Sequence, residues 1–180
     1  MKRLSFIGTF ACMLGLVASS HAQATPAATR AGSLQLGAGV SLANSDYAPQ
    51  KIKGITVYGT FDLTRHLGIE GDIHKVSIIT PGDIGEDSYL IGPRYVFRYR
   101  RFSPYAKALF GIGRLQYQFD TSPHATFTYG MYAFGGGLDF RATHHINVRA
   151  IDLEFQKWPG FPPNGLTPIV GTIGVAYAFR

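Results

Sequence analysis

Eight ionisable side chains, Asp62, Glu70, Asp72, Arg94, Arg98, Lys107, Asp139 and Arg149, share one property. Each stands on the small or polar parity of a segment whose alternate positions are bulky and apolar. Acids and bases brought onto one inner face can act as a charged gate in a narrow pore. They can equally neutralise one another as a closed ion-pair network, which keeps polar groups satisfied where bulk water is excluded. Antiparallel pairing of the segments that carry them predicts Glu70 near Arg98 and Asp72 nearer Arg94. Nucleophilic chemistry has little support, because no nucleophile elbow, His-Glu-x-x-His motif or phosphate loop occurs. His74 near Ser77 and His124 near Ser122 are the remaining imidazole and hydroxyl neighbours, with no third group to orient them. No catalytic residue, metal site or cofactor is therefore expected.

The elements that position these charges are strands. Period-two alternation runs through residues 34–42, 54–63, 67–74, 89–99, 104–113, 131–140, 146–155 and 169–179. In the last, Ile169, Gly171, Ile173, Val175, Tyr177 and Phe179 oppose Val170, Thr172, Gly174, Ala176 and Ala178, so one face is bulky and the other small. Pro93 removes a ladder donor from the fourth strand. The seventh changes phase, since Ile146 and Val148 share one parity while Ile151, Leu153 and Phe155 share the other. A bulge at Ala150/Ile151 would restore a single apolar face and spare Arg149 or the acids from lipid, at about 2–4 kcal/mol for a midplane basic residue.

Connections alternate in length. Long ones cover residues 44–50, 80–87, 118–124 and 158–168; short ones lie at 64–66, 100–103 and 141–145 and carry His66, His144 and His145, read as solvent-exposed. Eight antiparallel strands with long loops at one end and short turns at the other predict an all-β, up-and-down transmembrane β-barrel with both termini at the short-turn, periplasmic side. A soluble barrel of this size would need large apolar side chains on the inward parity, which here is mostly small, polar or charged. Trp158, Phe161 and the prolines beside them would form either a semi-rigid external tip or a cap on the barrel. The aromatics, Tyr89, Tyr95, Tyr99, Tyr105, Tyr132, Phe140, Tyr177 and Phe179 among them, are expected in interfacial girdles.

Composition agrees: 22 Gly, 13 Phe and 10 Tyr in 180 residues, with only 16% charged, fit many short strands better than helices. Lys2 and Arg3, the apolar stretch 4–17 and the small residues before Gln23 read as a secretory signal over residues 1–22. Residues 23–32 read as a flexible segment and 33–180 as the barrel domain. Cys12 lies in the signal, so the mature chain has no disulfide or thiolate metal site. Removing Lys2 and Arg3 leaves 15 basic against 11 acidic residues, too small an excess, and too scattered, for nucleic acid binding.

The closing Gly174-x-x-Tyr177-x-Phe179, with Ile91-Gly-Pro-Arg-Tyr95, Ser103-Pro-Tyr105, Leu109-Phe-Gly111 and Gly135-Gly-Gly-Leu-Asp139, resembles the small eight-stranded OmpA/OmpX-type outer membrane protein β-barrel family over residues 33–180. The resemblance implies a bacterial outer-membrane protein, exported through the periplasm. Its partners would be outer-membrane lipids and lipopolysaccharide, with Gly174, Tyr177 and Phe179 as the signal read by the barrel assembly machinery and a monomer as the expected state. It implies a structural or surface-interaction role through the external loops. A narrow-pore porin is the alternative, and a lipid A-modifying enzyme a more distant one. Arg180 departs from the family's aromatic ending, and no peptidoglycan-binding segment follows it, so a cell-wall tether is not expected.

Overall fold

A computed structural model describes residues 32–44, 51–76, 84–117 and 125–179. The segment 1–22 expected to be a signal, residues 23–31, Arg180, Ser77, Ser122, His124 and most of three long connections lie outside the described residues. The strands are β1 (Ser33–Asn44), β2 (Ile52–Asp62), β3 (Leu67–Lys75), β4 (Ile84–Val96), β5 (Phe102–Tyr117), β6 (Ala125–Arg141), β7 (Ile146–Lys157) and β8 (Ile169–Phe179). All neighbours are antiparallel and the sheet closes as β1 through β8 in order, with Leu34 opposite Phe179 and Asn44 opposite Ile169 at the seam.

Alternation in the sequence becomes alternation of burial. Along β2 every second residue is buried, and Val57, 48% exposed, is typical of the other parity. Phe155 at 58%, Ile173 at 55% and Phe134 at 56% continue that apolar belt around the outside. In water, each half-exposed Leu, Ile or Phe would forgo on the order of 1 kcal/mol of burial, so a continuous belt of them requires lipid. Eleven residues of β8, tilted by about 40°, rise about 25 Å, which matches the apolar band of outer-membrane barrels.

Several strands run further toward the long-loop end than the hydropathy pattern reveals. Glu86 and Asp87, read as loop, lie in β4, and β5 and β6 are 16 and 17 residues long. Their outward residues there, such as Arg114, Thr126 and Thr128, are polar because the ladder has left the lipid, so the apolar alternation fades while the hydrogen bonds continue. The predicted bulge is present: Leu138 pairs with Ile151 but Asp139 with Arg149, leaving Ala150 extra. Ile151 faces out at 47% exposure while Arg149 and Asp152 both point inward at 1%. At Pro93 the β4–β5 ladder loses two rungs without changing register.

The barrel interior has two layers. Toward the long-loop end Leu90, Leu109, Leu115, Met131, Trp158 and Leu166 form an apolar cluster, which the inward parity alone had not led us to expect. Trp158 and Phe161 come from the β7–β8 connection and are 1% and 7% exposed, so this segment caps the barrel and is not a displayed tip. Trp158 and Leu166 exchange main-chain hydrogen bonds of 2.9 and 3.2 Å, and Gly165 turns the chain at a φ of 84°. Opposite it, a Cβ on Gly113 would stand 2.4 Å from the indole, so only glycine lets the ring lie flat on β5.

At the other end the tightest turn holds a misfit. Tyr99 and Phe102 exchange two hydrogen bonds of 2.9 Å around Arg100 and Arg101, and Arg100 adopts a φ of 54°. An L-residue with a Cβ pays about 1–2 kcal/mol there. Arg100→Gly should raise stability by about 1 kcal/mol, read from the midpoint of urea unfolding in detergent micelles; an unchanged or lower midpoint would show that the side chain compensates its own strain.

Candidate functional site: the lumenal charge cluster

The charges below the apolar cap converge on one ammonium group. Lys107 Nζ, on β5, lies 2.9 Å from Glu70, 2.7 Å from Asp72, 2.6 Å from Asp152 and 2.7 Å from Glu154. It has three N–H donors for four carboxylates, so at least one contact is shared. Lys107 points inward because it shares parity with Tyr105 and Leu109. The acids reach it from β3 on one side and β7 on the other. Glu70, Asp72 and Asp152 are spaced like ligands of a metal ion, and so are Asp72, His74 and Glu154. Lys107 already supplies the cation that the first set surrounds.

Two guanidinium groups complete the cluster. Arg149 Nη2 is 2.9 Å and Nη1 3.1 Å from the two oxygens of Glu70, a bidentate pair, and Arg149 also reaches Asp152 at 3.2 Å and Asp139 at 3.4 Å. Arg94 meets Glu70 at 3.0 Å, Asp139 at 2.6 Å and the Thr60 hydroxyl at 3.1 Å. Each guanidinium is also covered by a phenol ring. Arg149 is 3.7 Å from the centroid of Tyr58 and Arg94 is 3.8 Å from that of Tyr105. A cation held over an aromatic face keeps part of the stabilisation that water would have given it. At the short-turn mouth Arg98 pairs with Asp62 at 2.5 Å and donates to the main-chain carbonyl of Arg65. Asn147 donates to Gln35 at 2.6 Å beside it.

Seven of the eight charges read from the sequence are thus buried inside and Arg98 stands part-exposed at the mouth, but the pairing differs from expectation. Glu70 binds Arg94, Asp72 binds Lys107, and Arg98 goes to Asp62. The β3–β4 register explains this: Gly68 stands opposite Arg94 and Lys75 opposite Asp87, which moves Arg94 and Arg98 toward the short-turn end. Sequence reasoning also missed His74, Asp152 and Glu154. The bulge argument already placed both acids on the inner face, and His74 follows Asp72 by two residues, so parity held the signal.

His74 lies buried in the lumen. Its Nδ1 is 2.7 Å from the Thr56 hydroxyl, its Nε2 donates to Glu154 at 3.2 Å, and Thr56 in turn contacts Ser41. Ser41 is 2.9 Å from Thr172. Hydroxyl, imidazole and carboxylate therefore stand in the order of a hydrolytic relay, yet Thr56 and His74 are 1% and 0% exposed, with no room for a substrate. Of the remaining residues read from sequence, Gly174 faces the lumen between Gly39 and Arg149, while Tyr177 and Phe179 lie outward, ring centroids 5.0 Å apart.

The cluster contains five carboxylates, Glu70, Asp72, Asp139, Asp152 and Glu154, around three permanent cations. Removing one cation leaves buried like charges, so Lys107→Met should destabilise the barrel by about 3–5 kcal/mol in urea titrations followed by heat-dependent gel mobility. Adding Asp72→Asn and Asp152→Asn should recover part of that loss; no recovery would show that the acids do not act as charges.

Residues 9–179 match the family described as outer membrane protein beta-barrel domain. Neisserial surface protein A is similar in structure at 16% identity, over 83% of this chain and 97% of that one, with a TM-score of 0.60. OprG of Pseudomonas aeruginosa gives 16%, 83%, 97% and 0.59. Ail, the attachment invasion locus protein of Yersinia pestis, in complex with the heparin analogue sucrose octasulfate, gives 15%, 82%, 99% and 0.56. At these identities the likeness is one of fold. No curated protein matches the chain.

Proposed function

Because the chain belongs to the outer membrane protein beta-barrel domain family, we propose that this bacterial outer-membrane barrel works as a closed, surface-displaying protein and not as a pore. One observation carries the reading: two layers of buried side chains lie across the lumen, Trp158 with its apolar neighbours toward one end and the Lys107 cluster below them. Eight strands enclose just enough space for side chains, and here side chains occupy it. With the interior committed to its own contacts, recognition falls to the loops and rims. The chain would be exported through the periplasm behind residues 1–22, inserted by the barrel assembly machinery reading Gly174, Tyr177 and Phe179, and remain a monomer among lipopolysaccharide and phospholipid. The burial of Thr56 and His74 favours a protein without catalytic activity.

Planar-bilayer recording tests the closed state. Wild-type protein should give no sustained channels. Arg94→Ala with Arg149→Ala should open ion-sized events, since both guanidinium groups cross the interior. Steady wild-type conductance that these substitutions abolish would replace this reading with the narrow-pore one. Unchanged lipid A mass spectra in cells with and without the protein are the expected outcome for a barrel without enzymatic activity.

A further inference from the structure

The short-turn end is built from a device used twice. Thr64-Arg65-His66-Leu67 joins β2 to β3, and Thr143-His144-His145-Ile146 joins β6 to β7. In the first, the Thr64 hydroxyl accepts from the main-chain N–H of His66 at 3.3 Å and Leu67 at 2.9 Å. Thr143 does the same for His145 at 3.3 Å and Ile146 at 3.0 Å. His66 Nδ1 donates to the carbonyl of Val96 at 3.0 Å and His145 Nδ1 to that of Ala178 at 3.2 Å. The same two residues return main-chain bonds of 2.7 Å to each histidine carbonyl. Each imidazole also stacks on a girdle tyrosine, His66 on Tyr95 at 5.9 Å and His145 on Tyr177 at 5.5 Å. A carbonyl only accepts, so Nδ1 carries the proton, and each ring fastens its turn to the strand beyond it.

Cations share these turns. Arg65 precedes His66, Arg100 and Arg101 form the middle turn between Tyr99 and Phe102, and Arg141 follows Phe140. Across the three turns the acid among the described residues is Asp62, already held by Arg98 at 2.5 Å. Arg100 keeps its place in spite of a φ of 54°, where glycine costs less. Its guanidinium lies 5.7 Å from the Tyr99 ring. Arg100 follows Tyr99 and Arg101 precedes Phe102, both exposed on the lipid side, at the depth where lipid headgroups carry their phosphates.

We propose that the short-turn rim binds the phosphates of anionic phospholipid in the leaflet it faces, through Arg65, Arg100, Arg101 and Arg141. The site rests on the membrane placement of the barrel and is independent of whether the lumen conducts. Guanidinium forks suit phosphate oxygens, and the turns fastened by the histidines hold them at set positions around the circumference. An acidic protein or glycan at the same rim would need no such registration with the aromatic girdle.

Native mass spectrometry of the full chain, released from micelles containing equal phosphatidylglycerol and phosphatidylethanolamine, reads the preference directly. Wild-type protein should retain phosphatidylglycerol over phosphatidylethanolamine. R65Q/R100Q/R101Q/R141Q should lose that preference, by about fivefold for each rim cation that contacts phosphate. R100G, which relieves backbone strain and so keeps the fold, should show a partial loss. Heat-dependent gel mobility verifies folding of each variant. Equal retention of both lipids by the wild type overturns the proposal. So does a preference that survives all the rim substitutions and disappears in K51Q/K53Q/K157Q at the opposite end. Rim-dependent capture of isolated peptidoglycan without any lipid preference overturns it as well, by assigning the surface to a glycan.

Discussion

A single ammonium group sets the terms for the interior. Lys107 stands within 2.6–2.9 Å of four carboxylates, and without it those acids would have to be hydrated, protonated or separated. A lumen of eight strands has no room to hydrate them. The arginines on either side extend the same solution: each meets two or more acids and lies against a tyrosine face, so neither needs bulk water. The apolar cluster under Trp158 then closes the long-loop side, which keeps solvent from screening the ion pairs beneath.

The fold was legible because two solvents impose a strict rule on each strand. Lipid outside and a packed lumen inside allow no side chain an intermediate position, so parity read from Leu34 to Phe179 gave the strand order, the facing of the charges and the bulge at Ala150. What parity does not encode is axial position. Residues on one face can slide past those of the next strand by steps of two without changing face, and for this reason the sequence predicts Glu70 beside Arg98 while the ladder sets it opposite Gly92, within side-chain reach of Arg94. The β3–β4 offset is set by the connection after Lys75, whose local sequence says little about where pairing resumes.

The apolar cap escaped the sequence for a different reason. Leu90, Leu109, Leu115 and Met131 sit on the inward parity among glycines and charges, and each looks like an isolated exception. They become a layer only when the strands are set side by side and Trp158 folds back from its loop onto Gly113. Histidines in the short turns were similarly underread. Their exposure was correct, yet the repeated Thr-x-His-(Leu/Ile) pattern, which ties each turn to the next strand, is visible in the sequence once its geometry is known.

Several of the ion pairs inside the barrel are remote along the chain. Arg149 is 79 residues from Glu70, Lys107 is 47 from Glu154, and His74 is 80 from the same Glu154. No hairpin can form any of these pairs by itself, because each joins β3 to β7 or β5 to β7 across the circumference. During insertion the groups whose partners lie on β7 must therefore stay hydrated until the seventh strand arrives, and their water must leave as the ring closes. The network is a late product of closure, so the early stages of assembly depend on the apolar belt and the turns, while the ionic core records that all eight strands have arrived in register.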